Sequence, residues 1–381
     1  MSRGAVMVYV QHLLGIGHQM RAAAIIRALQ ARGLAVTCVS GGEPGSMPDL
    51  AGARLIQLPP VRAADASFGR LVDAYGREID ETSRERRREA LLAAFAETLP
   101  EALLIETFPF GRWQFRFELL PLLRTARESG TRVVSSVRDI LVENKDPARL
   151  DAIVAILRRS FDAVLVHGDA RLVPFGETFG AADRIADLIR YTGYVAPPPE
   201  DFSVDGPGAG EVVVAAGGGA VGGTLLQTAL AARPLTGLAQ APWRLITGPN
   251  LPPADRQALV APAGVTIDTL RRDYREVLSR AAVSVSQAGY NTVMDILVTG
   301  ARAVLVPFRT ARETEQTLRA SLLAKRGRVQ IVSEAELSAL SLAAAIDATA
   351  AMPPPGPPPF DLDGADGTAR IVSDLIGRPR G

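Results

Sequence analysis

The stretch from Ala281 to Gln316, AAVSVSQAGYNTVMDILVTGARAVLVPFRTARETEQ, limits the fold more than any other part of the chain. It reads as a buried apolar strand, a turn of small residues, a helix, a second apolar strand and a polar loop opening another helix. Such a unit demands a parallel sheet covered by helices, and it points two strand ends into one crevice, where open α/β sheets bind ligands. Ser286, Gly289, Asn291, Thr292 and Asp295 fall at the first strand end, and Arg309, Glu315 and Gln316 at the second. Backbone N–H groups at the first helix start favour phosphate, and Asp295 is placed to accept from sugar hydroxyls.

The same alternation runs through the rest of the chain. Apolar strands are expected at 5–10, 34–39, 53–58, 102–105, 132–137, 161–167 and 189–195, and again at 211–216, 243–247 and 265–267. A chain of 381 residues exceeds what one hydrophobic core needs, and APPPEDFSVDGPGAG marks a stiff break in it. The expectation is an α/β protein of two Rossmann-like domains facing across a cleft, residues 1–200 and 201–350. Residues 351–381 form a proline-rich connector and a terminal helix, which either returns to the first domain or edges the second. One long helical region is expected from 68 to 98. Its charged segment REIDETSRERRRE reads as a solvated face, or as a basic surface toward a membrane or an anionic acceptor.

A glycine loop follows the first strand of each half. In QHLLGIGHQM, Gly15 and Gly17 allow a tight turn into a helix, a site suited to an anion. His18 at the helix start has a pKa range suited to a general base, with capping or packing as its plainer role. The loop is not the dinucleotide fingerprint, because the third glycine and the acidic residue ending the second strand are missing, and no Lys-Ser or Lys-Thr pair follows it. In GGGAVGG, the glycines 217, 218, 219, 222 and 223 let backbone donors approach an anion, or serve close packing.

Strand 102–105 runs into ETFPFGRW, where Glu106 and Arg112 stand among Phe108, Phe110 and Trp113. That combination walls an acceptor pocket or packs a core, and Glu106 is a second candidate base. Arg138, at the next strand end, reaches a phosphate or carboxylate or else pairs with Asp139. His167 and Cys38, each in an apolar run, read as structural.

A net charge of +1, from 42 basic and 41 acidic residues, gives no electrostatic case for a nucleic-acid partner. One cysteine and three histidines supply neither a disulfide framework nor a structural zinc site, and no obligatory metal is expected. The N-terminal apolar run is too short for a signal peptide or a spanning helix. The expectation is a cytoplasmic protein, with peripheral contact at the inner membrane face left open.

On the GIGH segment, the SQAGYNTVMDILVTGARAVLVPF unit and the Glu315–Gln316 pair, the chain resembles the GT-B glycosyltransferases, in particular the family 28 branch. The resemblance implies an inverting transferase with a nucleotide sugar, commonly a UDP-sugar, on the second domain. A hydroxyl-bearing acceptor, a small molecule, cofactor or lipid-linked glycan, would lie on the first. It carries catalysis or acceptor activation to His18, the diphosphate loop to Gly218 and Gly219, and the donor motif to Ser286, Gly289 and Thr292. Asp295 stands where the family usually has a ribose-holding glutamate, and Glu315–Gln316 where a doubled glutamine usually reads the sugar. Loop amides, helix dipoles and Arg309 would stabilise the leaving diphosphate. A sugar-nucleotide 2-epimerase and a non-catalytic nucleotide-sugar or glycan-binding protein are the competing expectations.

Overall fold

The computed structural model describes residues 4–13, 17–45, 48–64, 70–142, 146–198, 200–218, 221–308 and 314–377. The chain divides into two compact units, Met1–Val195 with Asp361–Gly381, and Ala196–Phe360.

The first unit is built on seven parallel strands: β1 (Ala5–Val10), β2 (Ala35–Ser40), β3 (Arg54–Gln57), β6 (Ala102–Glu106), β7 (Arg132–Arg138), β8 (Ala163–His167) and β9 (Ile189–Tyr191). Their order is β3-β2-β1-β6-β7-β8-β9. β4 (Arg62–Ala63) and β5 (Leu71–Val72) form a separate antiparallel ribbon. The central strands are apolar at successive positions because both faces are covered. Val6, Val8 and Leu104 pack under α1 (Gly17–Ala31) and the terminal helix Gly364–Ile376, while Met7, Leu103 and Ile105 join the opposite core with α2 (Glu81–Thr98), α3 (Arg116–Glu128) and α4 (Pro147–Ser160).

The helix expected from 68 to 98 begins instead at Glu81. Asp73 accepts from the N–H groups of Tyr75 and Arg77 around Gly76, which has a φ of 79°, and Asp80 caps α2 by accepting from Ser83 N–H. Local turn and capping chemistry overrides the apolar spacing there, and Leu71 and Val72 are buried as ribbon residues. Nor is the charged segment wholly a solvated face, since Arg87 within it is fully buried.

The second unit carries six parallel strands: β10 (Val212–Ala215), β11 (Trp243–Ile246), β12 (Val265–Asp268), β13 (Val283–Ser286), β14 (Ala303–Leu305) and β15 (Gln330–Ile331). Their order is β12-β11-β10-β13-β14-β15. The helices are α5 (Gly223–Ala232), α6 (Pro253–Gln257), α7 (Tyr274–Arg280), α8 (Tyr290–Thr299), α9 (Glu315–Ala324) and α10 (Ala339–Ala350), which leaves Gly364–Ile376 as α11. The chain returns to the first unit through Tyr194, whose N–H donates to Asp361 and whose carbonyl accepts from Gly364. Glycine is required at 364 and 367, where a Cβ would lie 2.3 and 2.2 Å from the carbonyl oxygens of Gly193 and Thr192.

In each sheet the strand order reverses beside the first strand, between β1 and β6 and between β10 and β13. Chains leaving the two strands at such a point diverge to opposite faces and open a crevice at the carboxyl edge. The loops after β1 and β6, and those after β10 and β13, are therefore the places to look for chemistry.

Candidate active site

At the reversal point of the first unit, the start of α1 meets the end of β6. His18 and Arg21 lie one helical turn apart on α1 and so share a face. His18 Nδ1 is 2.6 Å from Glu106 Oε1, and Arg21 pairs with the same carboxylate oxygen. A carboxylate only accepts, so Nδ1 carries the ring proton and the Nε2 lone pair is turned away from Glu106. His18 keeps 19% of its side-chain surface, whereas Glu106 keeps 2%. Glu106 Oε2 is buried with no hydrogen-bond partner among the described residues.

Burial lowers the His18 pKa below its ordinary 6.5, and Glu106 opposes only part of that fall. Burial alone would raise Glu106, but His18 and Arg21 outweigh it and hold the carboxyl well below the usual carboxylate range. His18 is neutral at neutral pH and accessible; Glu106 is ionised and enclosed. The pair has the form of an oriented base and its orienting acid, which makes Glu106 a partner of His18 and a poor base in its own right.

The chain after Glu106 is strained. Thr107 has a φ of 68° and Arg112 a φ of 58°, conformations that cost non-glycine residues roughly 1–3 kcal/mol each. Thr107 is held by its N–H to the Ser136 carbonyl (2.7 Å), and Arg112 by its Nε to the Gln11 carbonyl (2.7 Å). Arg112 sits close enough to Glu106 and Arg138 for both to act on its charge. Its own burial lowers its pKa. Arg138 is half-buried, and the neighbouring Asp139 accepts from the Tyr194 hydroxyl at 2.7 Å.

The aromatic residues of this loop belong to the core. Phe108 is fully buried and stacks with Trp113, while Phe110 meets Phe175 and Phe179 edge-on. His167, also fully buried, lies between Ser136 Oγ (2.6 Å) and Thr192 Oγ1 (3.0 Å), and burial lowers its pKa to about 3. Burial raises Cys38 to about 12, leaving an inert thiol. Gly17 opens α1; Gly15 lies outside the described residues.

At the reversal point of the second unit the glycines divide by cause. Gly217 needs its φ of 74°. A Cβ at Gly222 would lie 2.5 Å from that of Ala216, and one at Gly223 would lie 2.7 Å from the Asp255 carboxylate, so both serve packing. Among the described residues nothing lies within 4 Å of a Cβ added at Gly218 or Gly289. Asn250 Nδ2 ties the loops after β10 and β11 by donating to the Gly218 carbonyl (2.6 Å). Gly219 and Arg309 lie outside the described residues.

β13 ends at Ser286, whose buried hydroxyl has no hydrogen-bond partner among the described residues. α8 then starts after Gly289 with no side-chain cap, and Asn291 and Thr292 lie in its first turn. No side chain of the described residues caps that turn, and its first N–H groups have no intrahelical acceptor. On the same helix Asp295 is half-buried beside Tyr274 and Arg275; burial raises its carboxyl from 3.8 to about 6, with Arg275 opposing.

Across the next strand, Gln316 Oε1 accepts from the N–H groups of Ala288 (3.0 Å) and Phe308 (3.1 Å). One side chain thus joins the loops that follow β13 and β14. Glu315 Oε1 accepts from the fully buried Arg319 at 2.8 Å. Among the described residues no group of three or more His, Cys, Asp and Glu is placed to hold a metal ion. None of their helices is long and apolar enough to cross a membrane.

Arg21, Arg319 and the latching use of Gln316 were not read from the sequence. Arg21 has a local signal, one turn after His18 on an otherwise apolar face. The Gln316 contacts span 28 and 8 residues and have no local signal.

Solved structures share the fold of two parallel α/β units over almost the whole chain. The fold is GT-B. The calicheamicin glycosyltransferase CalG4 superposes with a TM-score of 0.61 at 17% identity, covering 99% of this chain and 94% of that one. MurG of Acinetobacter baumannii gives 0.56 at 18%, covering 98% and 99%. Residues 212–355 match the glycosyltransferase family 28 C-terminal domain. Through its second unit the chain is related to that family. The UDP-N-acetylglucosamine--N-acetylmuramyl-(pentapeptide) pyrophosphoryl-undecaprenol N-acetylglucosamine transferase of Bartonella tribocorum is 42% identical over 72 residues, 19% of each chain. The enzyme of the same name from Rhodospirillum centenum is 32% identical over 114 residues, 29% of this chain and 30% of that one. The matched segments thus span less than a third of these relatives.

Asp295 lends itself to a stability test. A carboxyl whose pKa is raised by folding contributes stability at low pH that is lost as pH rises through about 6. The Asp295→Asn variant is expected to be more stable than the parent by about 2 kcal/mol near pH 8 and no more stable near pH 4, measured by urea unfolding.

Proposed function

We propose that the protein is an inverting glycosyltransferase that moves a sugar from a nucleoside diphosphate sugar, a UDP-sugar on the names of its relatives, to an acceptor hydroxyl. The observation that carries the proposal is the accessible, neutral His18 oriented by the enclosed Glu106 carboxylate.

In the proposed reaction His18 Nε2 takes the proton of the acceptor hydroxyl. The oxygen bonds to the anomeric carbon as the bond from that carbon to the diphosphate oxygen breaks, and the nucleoside diphosphate departs with the electron pair. One displacement inverts the anomeric centre. Charge developing on the imidazolium is stabilised by Glu106, and charge on the leaving diphosphate by the uncapped start of α8, with Arg309 as a further cation. Gly217, Gly218 and Gly219 give the diphosphate close approach, and Ser286, Gly289, Asn291 and Thr292 line the same position. Asp295 accepts from the ribose hydroxyls, and Glu315 and Gln316 stand by the transferred sugar. Arg112 and Arg138 lie on the acceptor side.

Donor screening by thermal shift with UDP- and TDP-sugars tests the donor assignment. A ligand at a hundredfold excess over its Kd stabilises by about 2.7 kcal/mol. Absence of any shift with every nucleotide sugar overturns the assignment. The pH profile tests the dyad. The acid limb of kcat/KM should lie below pH 6.5, because neutral His18 is the active form and its pKa is depressed. Glu106→Gln removes the negative charge that raises the His18 pKa, so the limb should move to still lower pH. The plateau should fall by about 10²-fold, as the ring loses both orientation and imidazolium stabilisation. An unmoved limb contradicts the pairing.

A further inference from the structure

Resting on the donor assignment above, we infer that Arg319 is a positioning residue for recognition of the transferred sugar: it fixes the Glu315 carboxylate as the group that reads sugar hydroxyls, while Gln316 latches the surrounding loops. Both are placed by α9, whose first two residues are Glu315 and Gln316 and whose fifth is Arg319.

The two members of the Glu315–Gln316 pair do different work. A glutamine carbonyl has two lone pairs, and Gln316 Oε1 directs them to two backbone N–H groups, those of Ala288 and Phe308. Those N–H groups belong to the loops after adjacent strands β13 and β14, so the contact sets their spacing. Only the Nε2 donors of Gln316 remain for a ligand. Reading by acceptance is assigned to Glu315, the carboxylate of the pair.

Glu315 is held from beneath. Arg319 lies one turn further along α9 on the same face, its side chain fully buried, and its NH1 donates to Glu315 Oε1 at 2.8 Å; the Glu315 side chain keeps 12% of its surface. The guanidinium carbon lies 5.1 Å from the centre of the Tyr290 ring, the first residue of α8, so Arg319 also ties Glu315 to the donor helix. A buried guanidinium paired with a carboxylate favours its ionised form and anchors the oxygen it contacts. An ionised carboxylate accepts hydrogen bonds and cannot donate. The sugar it recognises must present free hydroxyl donors to it, in contrast to a sugar whose corresponding positions are deoxygenated or substituted.

The test compares a donor with its sugarless product. Affinities of UDP and of whichever of UDP-glucose and UDP-N-acetylglucosamine stabilises the wild type more are measured by calorimetry on the full chain. In Arg319→Met the nucleotide sugar is expected to bind at least tenfold more weakly while UDP binding changes less than twofold; Arg319→Lys, which keeps a cation, recovers part of the loss. In a Glu315→Gln background the further change Arg319→Met should have little additional effect, because Arg319 acts through the carboxylate. Equal loss of UDP and nucleotide-sugar binding in Arg319→Met, or additive losses in the double variant, overturns the inference. Failure of the wild type to bind UDP or either sugar nucleotide would instead overturn the UDP-sugar assignment on which it rests.

Discussion

Replacing His18 with alanine should lower kcat by about 10²–10⁴-fold with little change in donor affinity, the range expected for losing a positioned general base. The side chain is partly exposed on the first turn of α1; its Nδ1 donates to Glu106, and Arg21 NH2 lies 3.2 Å from the same nitrogen. Its removal leaves the Glu106–Arg21 ion pair in place, so the fold should survive. Donor binding is assigned in the proposed reaction to groups of the second unit and should be unaffected. A rise in KM for donor with kcat preserved would mean that His18 binds substrate and does not take the acceptor's proton. The Glu106→Ala variant should lose nearly as much activity, because a base without its orienting partner fails as a unit. Unlike His18→Ala it should also lose stability, since Arg21 would be left with a buried charge.

The largest expected effect on stability is at Arg87. Its side chain keeps 1% of its surface and Glu118 keeps none. Arg87 Nε and NH2 donate to the two Glu118 oxygens at 2.9 and 2.8 Å, NH2 also donates to Gln11 Oε1 at 2.9 Å, and NH1 donates to the carbonyls of Gly41 (2.9 Å) and Pro59 (2.5 Å). The Tyr9 hydroxyl donates to Glu118 Oε1 at 2.5 Å. One guanidinium therefore satisfies acceptors in the chain segments that leave β1, β2 and β3, which fixes the edge on which His18 is carried. Arg87→Met removes that guanidinium and leaves Glu118 as a buried charge held by Tyr9 alone within this network. The expected loss is about 3–5 kcal/mol in urea unfolding, more than for any exposed arginine of α2. A loss below 1 kcal/mol would show that the network is replaced by water or rearrangement. The paired variant Arg87→Met with Glu118→Gln should recover part of the loss, because the uncompensated charge is removed.

The alternation of strands and helices was legible because parallel strands buried on both faces are written as continuous apolar runs, such as AVMVYV and VSVS. The glycine loops and the small residues after β13 were legible for a related reason: close backbone approach leaves few residue types available. Pairings across the chain were not. Glu106 looked like a rival base because nothing local says that Arg21, 85 residues away, already neutralises it. Arg87 looked solvated because its partner Glu118 is 31 residues on. Phe110 stayed open between pocket wall and core because its ring partners, Phe175 and Phe179, come from another connection. The glycines at 222 and 223 looked like ligand contacts, whereas Ala216 and Asp255 fill the space beside them. In each case residue type was informative about chemistry, and tertiary contact decided which chemistry the residue performs.

The central claim is sugar transfer dependent on His18. Its most direct test is the mass of the products formed from a stabilising nucleotide sugar and a panel of hydroxyl-bearing acceptors, with wild type and His18→Ala side by side. In the wild-type reaction the acceptor is expected to become heavier by one anhydrosugar unit, with nucleoside diphosphate released in equal amount, and the variant to lose about 10²-fold or more of this activity. A nucleotide sugar that is bound and returned epimerised at C2, or bound and never consumed with any acceptor, would contradict it.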